Sequence, residues 1–380
     1  MPRQLRPASF EAAAAALSGA AAGGEAVRIV GGGSKLRWGA AAAPPDVELR
    51  TERLDRILEH NQGDLTAVLE AGVPLARAQA QFASAGQMLA LDPFLGPDHE
   101  ATVGGVLATA DSGPLRHRYG AARDLVLGMT VALSDGTVAH SGGKVIKNVA
   151  GYDLGKLFTG SLGTLGMILS VSVRLHPLPS RTATVVGDSA EPGTVARAAG
   201  RLAAEPLELE ALDVAWSAGR GGVLARCAGS ASEQRARRIA ELMRGHGLDG
   251  VQIVTDDAEL WARQRAGQRS DRGAMVRVAS RPSALPRVLE AVQAADATAV
   301  GRAATGHTFV AVSPAALGTL LGHLPEGAVP VLLDAPDELR AAVDPWGPPG
   351  DRGAYELMRR VKQRFDPARA CNPGVFVGGI

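Results

Sequence analysis

The chain has 380 residues, 46% of them hydrophobic and 4% aromatic, with 40 Lys and Arg against 39 Asp and Glu for a net charge of +1. That length suits two domains rather than one core. The near-neutral balance leaves no electrostatic footprint for nucleic acid or an anionic membrane, and so few aromatics argue against base-stacking platforms.

The first stretch with character is Ala12–Ala22, behind Arg3 and Arg6. Glu11 and Ser18 interrupt it and alanine is weakly apolar, so it reads as a first amphipathic helix rather than a signal-peptide core. Nothing approaches the ~20 apolar residues of a membrane span. Val27–Val30 reads as a strand ending at Gly31-Gly32-Gly33, Asp46–Arg50 as a strand and Leu54–His60 as a short helix. Thr66–Glu70 is a strand, and Pro74 opens a helix through Ala85. Leu127–Leu133 and Val138–His140 form a hairpin around Asp135-Gly136. Ile168–Leu175 alternates like a strand and stops at Pro177 and Pro179, the expected domain boundary.

Beyond Arg181 the rhythm repeats. Strands are expected over Thr184–Val186, Leu212–Trp216, Val223–Cys227, Val251–Val254, Met275–Val278 and Thr308–Val312. Helices are expected over Val195–Ala204, Ser232–His246, Ser283–Ala294 and Pro314–His323. Two αβ units with hairpins imply an α+β layer on an antiparallel sheet. A last helix, Tyr355–Phe365, leads to the tail Asp366–Ile380.

Four glycine-rich segments carry the chemistry. They are Gly31–Lys35; Thr102-Val103-Gly104-Gly105 with Ser112-Gly113 and Tyr119-Gly120; Gly142-Gly143-Lys144 with Lys147–Asp153; and Gly160–Gly166. Without a Cβ, backbone N–H groups can turn toward one concavity and approach an anion closely. Four such segments in one domain argue for an extended ligand lying across several loops. A P-loop is excluded because Val145 follows Gly143-Lys144, and the GxGxxG fingerprint fails because after Gly31 and Gly33 its third glycine slot is Leu36, followed by Arg37.

The runs "VRIVGGGSKLRWG", "ATVGGVLATADSG" and "KVIKNVAGYDLGKLFTGSLGTLG", with "FDPARACNPGVF" near the end, resemble the PCMH-type FAD-binding domain of the vanillyl-alcohol oxidase superfamily. Within it they resemble the FAD-binding subunit of bacterial glycolate oxidases. The resemblance covers residues 1–180 and returns at Phe365–Phe376. It implies an α+β chain with a two-lobed FAD-binding domain over 1–180, a smaller ferredoxin-like α+β cap domain over 181–350, and a helix and tail over 351–380 returning to the first domain. It assigns Gly31, Gly32, Gly33, Ser34 and Lys35 to the FAD pyrophosphate. Thr102, Val103, Gly104, Gly105, Ser112 and Gly113 would form the second wall of the phosphate and ribityl cleft. Gly163, Thr164, Leu165, Gly166 and Ile168 would pack the adenosine side, with Tyr119 and Gly120 near the flavin and Asn372 at the isoalloxazine edge. The first loop lacks the histidine through which some relatives attach flavin, so non-covalent FAD is expected.

His307, in Thr305-Gly306-His307-Thr308, is the candidate base for a substrate hydroxyl, weighed against a strand-edge structural histidine. Arg277 is a candidate carboxylate clamp, weighed against an exposed strand arginine. Lys144 and Lys147 are candidate phosphate neighbours or solvated lysines. Asp111 and Asp135 read as turn residues, and Cys371 as an inert thiol. Two distant cysteines, Cys227 and Cys371, cannot ligate an iron–sulfur cluster in the usual way and suit a reducing compartment. No His/Asp pattern supports a metal. The resemblance implies oxidation of a small 2-hydroxy acid, glycolate or D-lactate, in a hetero-complex with a larger FAD subunit and an iron–sulfur subunit. The location it implies is cytoplasmic, or peripheral to the inner membrane through those partners. A catalytically silent FAD-binding subunit and a stand-alone FAD-linked alcohol oxidoreductase are the alternatives.

Overall fold

The computed structural model describes residues 1–144, 153–270, 273–347 and 350–380. They divide into two units. Met1–Ser112, Tyr119–Leu178 and Pro348–Ile380 form the first, and Gly113–Arg118 with Pro179–Gly347 the second.

The first unit begins with β1 (Arg3–Leu5), α1 (Phe10–Ala22), β2 (Val27–Val30) and β3 (Val47–Arg50). The three strands are parallel, in the order β1-β3-β2. Ser9 caps α1, its hydroxyl accepting from Ala12 N, and the helix buries Ala13, Ala14, Leu17 and Ala20. Next along the chain come β4 (Ile57–Asn61), β5 (Thr66–Glu70), α2 (Leu75–Ser84), β6 (Gln87–Met88), α3 (Val103–Thr109), the single turn α4 (Arg116–Tyr119), of which Arg116–Arg118 belong to the second unit, β7 (Val126–Ala132), β8 (Val138–Gly142), α5 (Leu154–Phe158), β9 (Met167–Arg174) and β10 (His176–Pro177). A five-stranded antiparallel sheet runs β4-β5-β9-β7-β8. It shares a core with α2 and α3 through Leu69, Val171, Phe82 and Val106.

The helix expected over Leu54–His60 is instead β4, paired antiparallel with β5. The turn Asn61-Gln62-Gly63-Asp64 decides this: Asn61 Oδ1 accepts from Asp64 N, and Asn61 Nδ2 donates to Asp64 Oδ2 at 2.7 Å. Such Asx chemistry reverses the chain and makes a hairpin of what helix propensity alone would leave local. Pro74 sits at the N-cap of α2, one position before the helix.

The second unit is one module built twice. β11 (Thr182–Ser189), α6 (Pro192–Ala204), β12 (Ala211–Ser217), β13 (Arg220–Ala228), α7 (Ser232–Gly245) and β14 (Asp249–Val254) follow a βαββαβ path. After α8 (Ala258–Ala266) the same path recurs as β15 (Ala274–Ala279), α9 (Leu285–Ala294), β16 (Thr298–Arg302), β17 (His307–Val312), α10 (Leu317–His323) and β18 (Val329–Asp334). All eight strands join one antiparallel sheet, β14-β11-β13-β12-β16-β17-β15-β18. Each half has the ferredoxin-like order, and the halves meet where β12 pairs β16. β16 and β18 were not expected from the sequence, and they complete the second copy. The helices α6, α7, α9 and α10 cover one face through Val195, Ile239, Val288 and Leu320. On the other face, α8 places Trp261 against Ala211 and Leu224. Its indole Nε1 donates to Thr184 Oγ1 at 2.8 Å.

After α11 (Asp337–Ala342), the chain re-enters the first unit with α12 (Arg352–Phe365). The tail then adds a rung to the parallel sheet. Cys371 bridges Val27, Val27 N donates to Ala370 O, and Asn372 N donates to Val27 O, both at 2.8 Å. Among the described residues no helix is long and apolar enough to cross a membrane.

Candidate functional site: a cleft of glycine turns

β2 runs out at Val30 and hands the chain to Gly31–Lys35. Beside it lie the start of α3 and the turn before β9, and the tail closes one side. These segments line a cleft of about 1050 Å³, open to solvent, whose walls include Gly31–Lys35, Thr102, Gly104, Gly105, Gly163 and Asn372.

Why these residues are glycine is visible in the packing. A Cβ on Gly31 would overlap Thr102 Oγ1, and one on Gly32 would overlap the carbonyl of Glu100. A Cβ on Gly104 would lie 2.6 Å from Ala71 Cβ, and one on Gly163 2.9 Å from Asn372 Nδ2. Gly163 also has φ +71°. The glycines therefore let one protein segment approach another, and the cleft is the space left between those close approaches. Thr102 caps α3 by accepting from Gly105 N at 3.2 Å. Among the described residues, the N–H groups of Gly31, Gly32, Gly33 and Ser34 donate to no protein acceptor. Four successive free amides on a cleft wall suit an anionic ligand.

Lys35 lines the cleft, but its ammonium is paired 3.4 Å from Asp111 Oδ2, with side-chain exposures of 5% and 1%. Asp111 Oδ1 accepts from Ser112 N at 2.9 Å. Asp111 is thus more than a turn residue, because it holds the loop lysine in place. Asn372 is a clamp: Oδ1 accepts from Ile29 N at 2.7 Å and Nδ2 donates to Leu162 O at 2.6 Å. It ties the end of β2 to the turn before β9. Behind it, Lys362 of α12 is buried and donates to Thr164 O (2.7 Å), Asp366 Oδ2 (2.7 Å) and Cys371 O (3.0 Å). Asp366 in turn accepts from Ala370 N and Cys371 N. Burial, with Asp366 beside it, pushes the Cys371 thiol well above its ordinary range. Both cysteines are free and buried.

Of the residues expected at the cofactor, Gly31, Gly32, Gly33, Ser34, Lys35, Thr102, Gly104, Gly105, Gly163, Gly166, Ile168 and Asn372 all line this cleft. Val103 and Leu165 face the apolar core behind it. Thr164 is buried, its hydroxyl donating to Ser161 O. Ser112, Gly113, Tyr119 and Gly120 are not in its lining, and the Tyr119 ring stacks 4.6 Å from His176. Lys144 pairs with Glu59. Lys147 and its neighbours through Tyr152 lie outside the described residues. Sequence reasoning missed Trp38, Thr109, Leu162 and Val375 in the lining, and the Lys362–Asp366 pair. The pair's i, i+4 spacing at the end of a helix was the readable signal for it.

His307 starts β17 in the second unit. Its Nδ1 lies 2.9 Å from Thr305 O, which can only accept, so Nδ1 carries the hydrogen. Burial first, then Arg116, Arg277 and Arg302, push its pKa down to about 4.

Residues 3–142 match the family model described as FAD binding domain, and residues 350–376 match that of FAD linked oxidases, C-terminal domain. The chain is 37% identical to glycolate oxidase subunit GlcE of Escherichia coli (strain K12), over 40% of this chain and 42% of that one. It is 36% identical to a D-lactate dehydrogenase of Archaeoglobus fulgidus, over 46% of this chain and 38% of that one. An uncharacterized FAD-linked oxidoreductase of Mycobacterium tuberculosis is 26% identical, with 98% of this chain and 90% of that one covered. The first two thus align with less than half of their own length. Among solved structures, an alkyldihydroxyacetonephosphate synthase superposes with a TM-score of 0.72 at 15% identity, covering 97% of this chain and 75% of that one; the likeness is one of fold. The family matches and the fold together give this chain a PCMH-type FAD-binding domain, with a C-terminal segment like that of the FAD linked oxidases.

Proposed function

We propose that this chain holds one FAD non-covalently in the glycine-turn cleft and serves the oxidation of a small 2-hydroxy acid, of the glycolate or D-lactate type. The observation that carries the reading is the row of free amides at Gly31–Ser34 on a cleft walled by Thr102, Gly104, Gly105, Gly163 and Asn372. Among the described residues, the cleft lining holds no histidine, cysteine or tyrosine that could bond a flavin covalently. Bound FAD would accept the hydride from the carbinol carbon. The protein's own part is to hold the dinucleotide, with backbone N–H groups toward the pyrophosphate, and to take the hydroxyl proton at His307 Nε2. Names among the relatives, a glycolate oxidase subunit and a D-lactate dehydrogenase, support the substrate class. The subunit title supports work in a complex; a larger flavoprotein and an iron–sulfur protein, to which electrons would pass, are the partners we propose.

A second reading, a silent FAD-binding subunit that serves assembly, is favoured by the low pKa of His307, since a base that weak is poorly matched to neutral pH. Anaerobic mixing of the purified chain with glycolate and with D-lactate decides between them. Bleaching of the flavin absorbance is the expected result. An oxidised spectrum with both acids, while FAD stays bound, leaves the silent role. Acid precipitation should release all the flavin to the supernatant.

A further inference from the structure

The last helix of the first unit is covered along half its length only. In α12, Ala354, Leu357, Met358, Val361 and Phe365 recur at the spacing of one apolar stripe. The C-terminal end of that stripe is packed. Val361 and Phe365 lie against the core of the first unit, and the Phe365 ring meets Phe158 of α5 edge-on with 5.5 Å between centroids. The N-terminal end is bare: Leu357 is 57% exposed, Met358 is 42% exposed, and Ala354 beside them is exposed too. The helix cannot roll to hide them. Lys362 is locked to Thr164, Asp366 and Cys371, and Tyr355 OH donates to Gly378 O at 2.9 Å.

Arginines flank the bare end. α12 exposes Arg352, Arg359, Arg360 and Arg364 against one acid of its own, Glu356. Among the described residues its ion pairs are Arg352 with Glu356 and Lys362 with Asp366, and Arg359, Arg360 and Arg364 take none. Other surface helices answer such arginines themselves: α8 pairs Arg263 with Glu259, and α9 pairs Arg287 with Glu290. Leu357, Arg360 and Arg364 stand three and four residues apart, so they form one row along the helix. The row leads to an open groove of about 880 Å³, lined by Pro367 and Ala368, by Ala15, Gly19 and Ala22 of α1, and by the turn at Asp135. Hydrogen bonds from Thr137 first, and the Arg364 guanidinium in addition, hold the Asp135 carboxyl below its ordinary range, which puts Arg364 close to the groove. Ser134, also in the groove lining, has its Oγ buried with no hydrogen-bond partner. Buried hydroxyls are seldom left so.

We propose that the Leu357–Arg360–Arg364 row of α12, with the groove at its end, is the docking face for a protein partner that presents carboxylates around an apolar centre. Apolar side chains of the partner cover Leu357 and Met358. Its carboxylates pair with Arg360 and Arg364, which no described acid neutralises. Charge decides against a second copy of this chain, because a two-fold contact would set the same arginines against one another. A lipid surface takes a helix along its whole apolar face, whereas the Val361–Phe365 half of this stripe is already packed on the core. That the partner is a flavoprotein or an iron–sulfur protein rests on the complex proposed above; its acidic, apolar-centred chemistry follows from the face itself.

The test places a photo-cross-linking residue at Leu357 of the full chain in its native host, with the same residue at Leu321 of α10, which is 39% exposed, as the control. Position 357 should cross-link to one protein, at a peptide carrying Asp or Glu, and position 321 should not. With that protein purified, Arg360→Glu should weaken its binding to the FAD-loaded chain at least ~10-fold, and added salt should weaken the wild-type complex. The FAD content of the variant should stay at the wild-type level. Cross-linking from position 357 to a second copy, or to no protein, overturns the face, and so does unchanged affinity in a folded Arg360→Glu chain. Flotation with phosphatidylglycerol vesicles that Arg360→Glu abolishes would overturn it as well, in favour of a membrane contact. If the cross-linked protein is neither a flavoprotein nor an iron–sulfur protein, the face stands and the reading of the complex fails. If the tagged chain brings down those two proteins while position 357 cross-links to neither, the complex stands and the face is overturned.

Discussion

The cleft of the first unit and the charged face of the second are built from opposite materials. The cleft is made of backbone, with glycine turns brought against neighbouring segments and four amides left free. The charged face is made of side chains, with Asp213, Arg302 and His307 drawn from three strands separated by helices and loops. A backbone site demands glycine at fixed places within a few residues, so it leaves a local mark in the sequence. A side-chain cluster assembled by strand pairing leaves none, because the register that opposes Arg302 to His307 exists only after folding.

Three variants test that contrast. The largest effect is expected from Lys362→Met. It removes a buried ammonium with three acceptors and leaves Asp366 uncompensated, at a cost of about 3–5 kcal/mol. Chemical denaturation followed by flavin fluorescence measures it. A loss below about 1 kcal/mol would mean that the tail is not held to the cleft by this pair. Gly32→Ala comes next. The added methyl overlaps the Glu100 carbonyl, and overpacking of this kind costs about 1–3 kcal/mol. Retained flavin should fall with it, whereas Gly33→Ala, whose methyl would meet only Leu36 Cδ1 at an ordinary 3.8 Å but at φ +90°, should cost about 1 kcal/mol and keep most of the flavin. Equal losses in the two variants would erase the claim that close approach, rather than turn conformation, makes the wall.

The smallest effect is a pH dependence in the second unit. The pKa of His307 is depressed to about 4, below its unfolded value near 6.5. Its neutral form is the one the fold prefers, so its contribution is complete above pH 6.5 and is lost as pH falls toward 4. Asp213 runs the other way: burial raises it to about 6 against the pull of Arg302, so its contribution is lost as pH rises from about 4 toward 6. The two oppose each other in one window. His307→Gln should therefore be less acid-sensitive than the wild type between pH 6.5 and 4, by about 1 kcal/mol in urea titrations. Parallel stability curves for the two proteins would show that His307 is not held neutral by its surroundings.

The same contrast explains what could be read beforehand. Gly31–Lys35, Thr102, Gly104 and Gly105 could be placed on one wall because a wall made of backbone demands glycine within a few residues, whereas Asn372 came only from the resemblance of the tail. Leu54–His60 was misread because the turn Asn61–Asp64 competes with helix propensity, and tertiary pairing decided the outcome. The duplication of the second unit was hidden. β16 (Thr298–Arg302) and β18 (Val329–Asp334) carry no strong alternation, and their partner strands make them strands. The buried Asp213–Arg302 pair was hidden for the same reason, since nothing near Arg302 in sequence distinguishes it from the other arginines.

One wall of the cleft comes from residues made late. Asn372, Pro373 and Val375 line it together with Gly31–Lys35, yet on the ribosome they follow the whole of Pro179–Gly347. At ~5–20 residues per second that interval lasts on the order of 10–30 s. During it the second unit has time to fold, while the parallel sheet waits with β2 lacking its Cys371 neighbour and the Asn372 clamp unmade. On the reading proposed above, cofactor loading is thereby ordered in time: the dinucleotide meets a closed wall only after the tail has emerged, and a nascent chain stalled before Lys362 offers the Gly31–Ser34 amides without the tail that backs them.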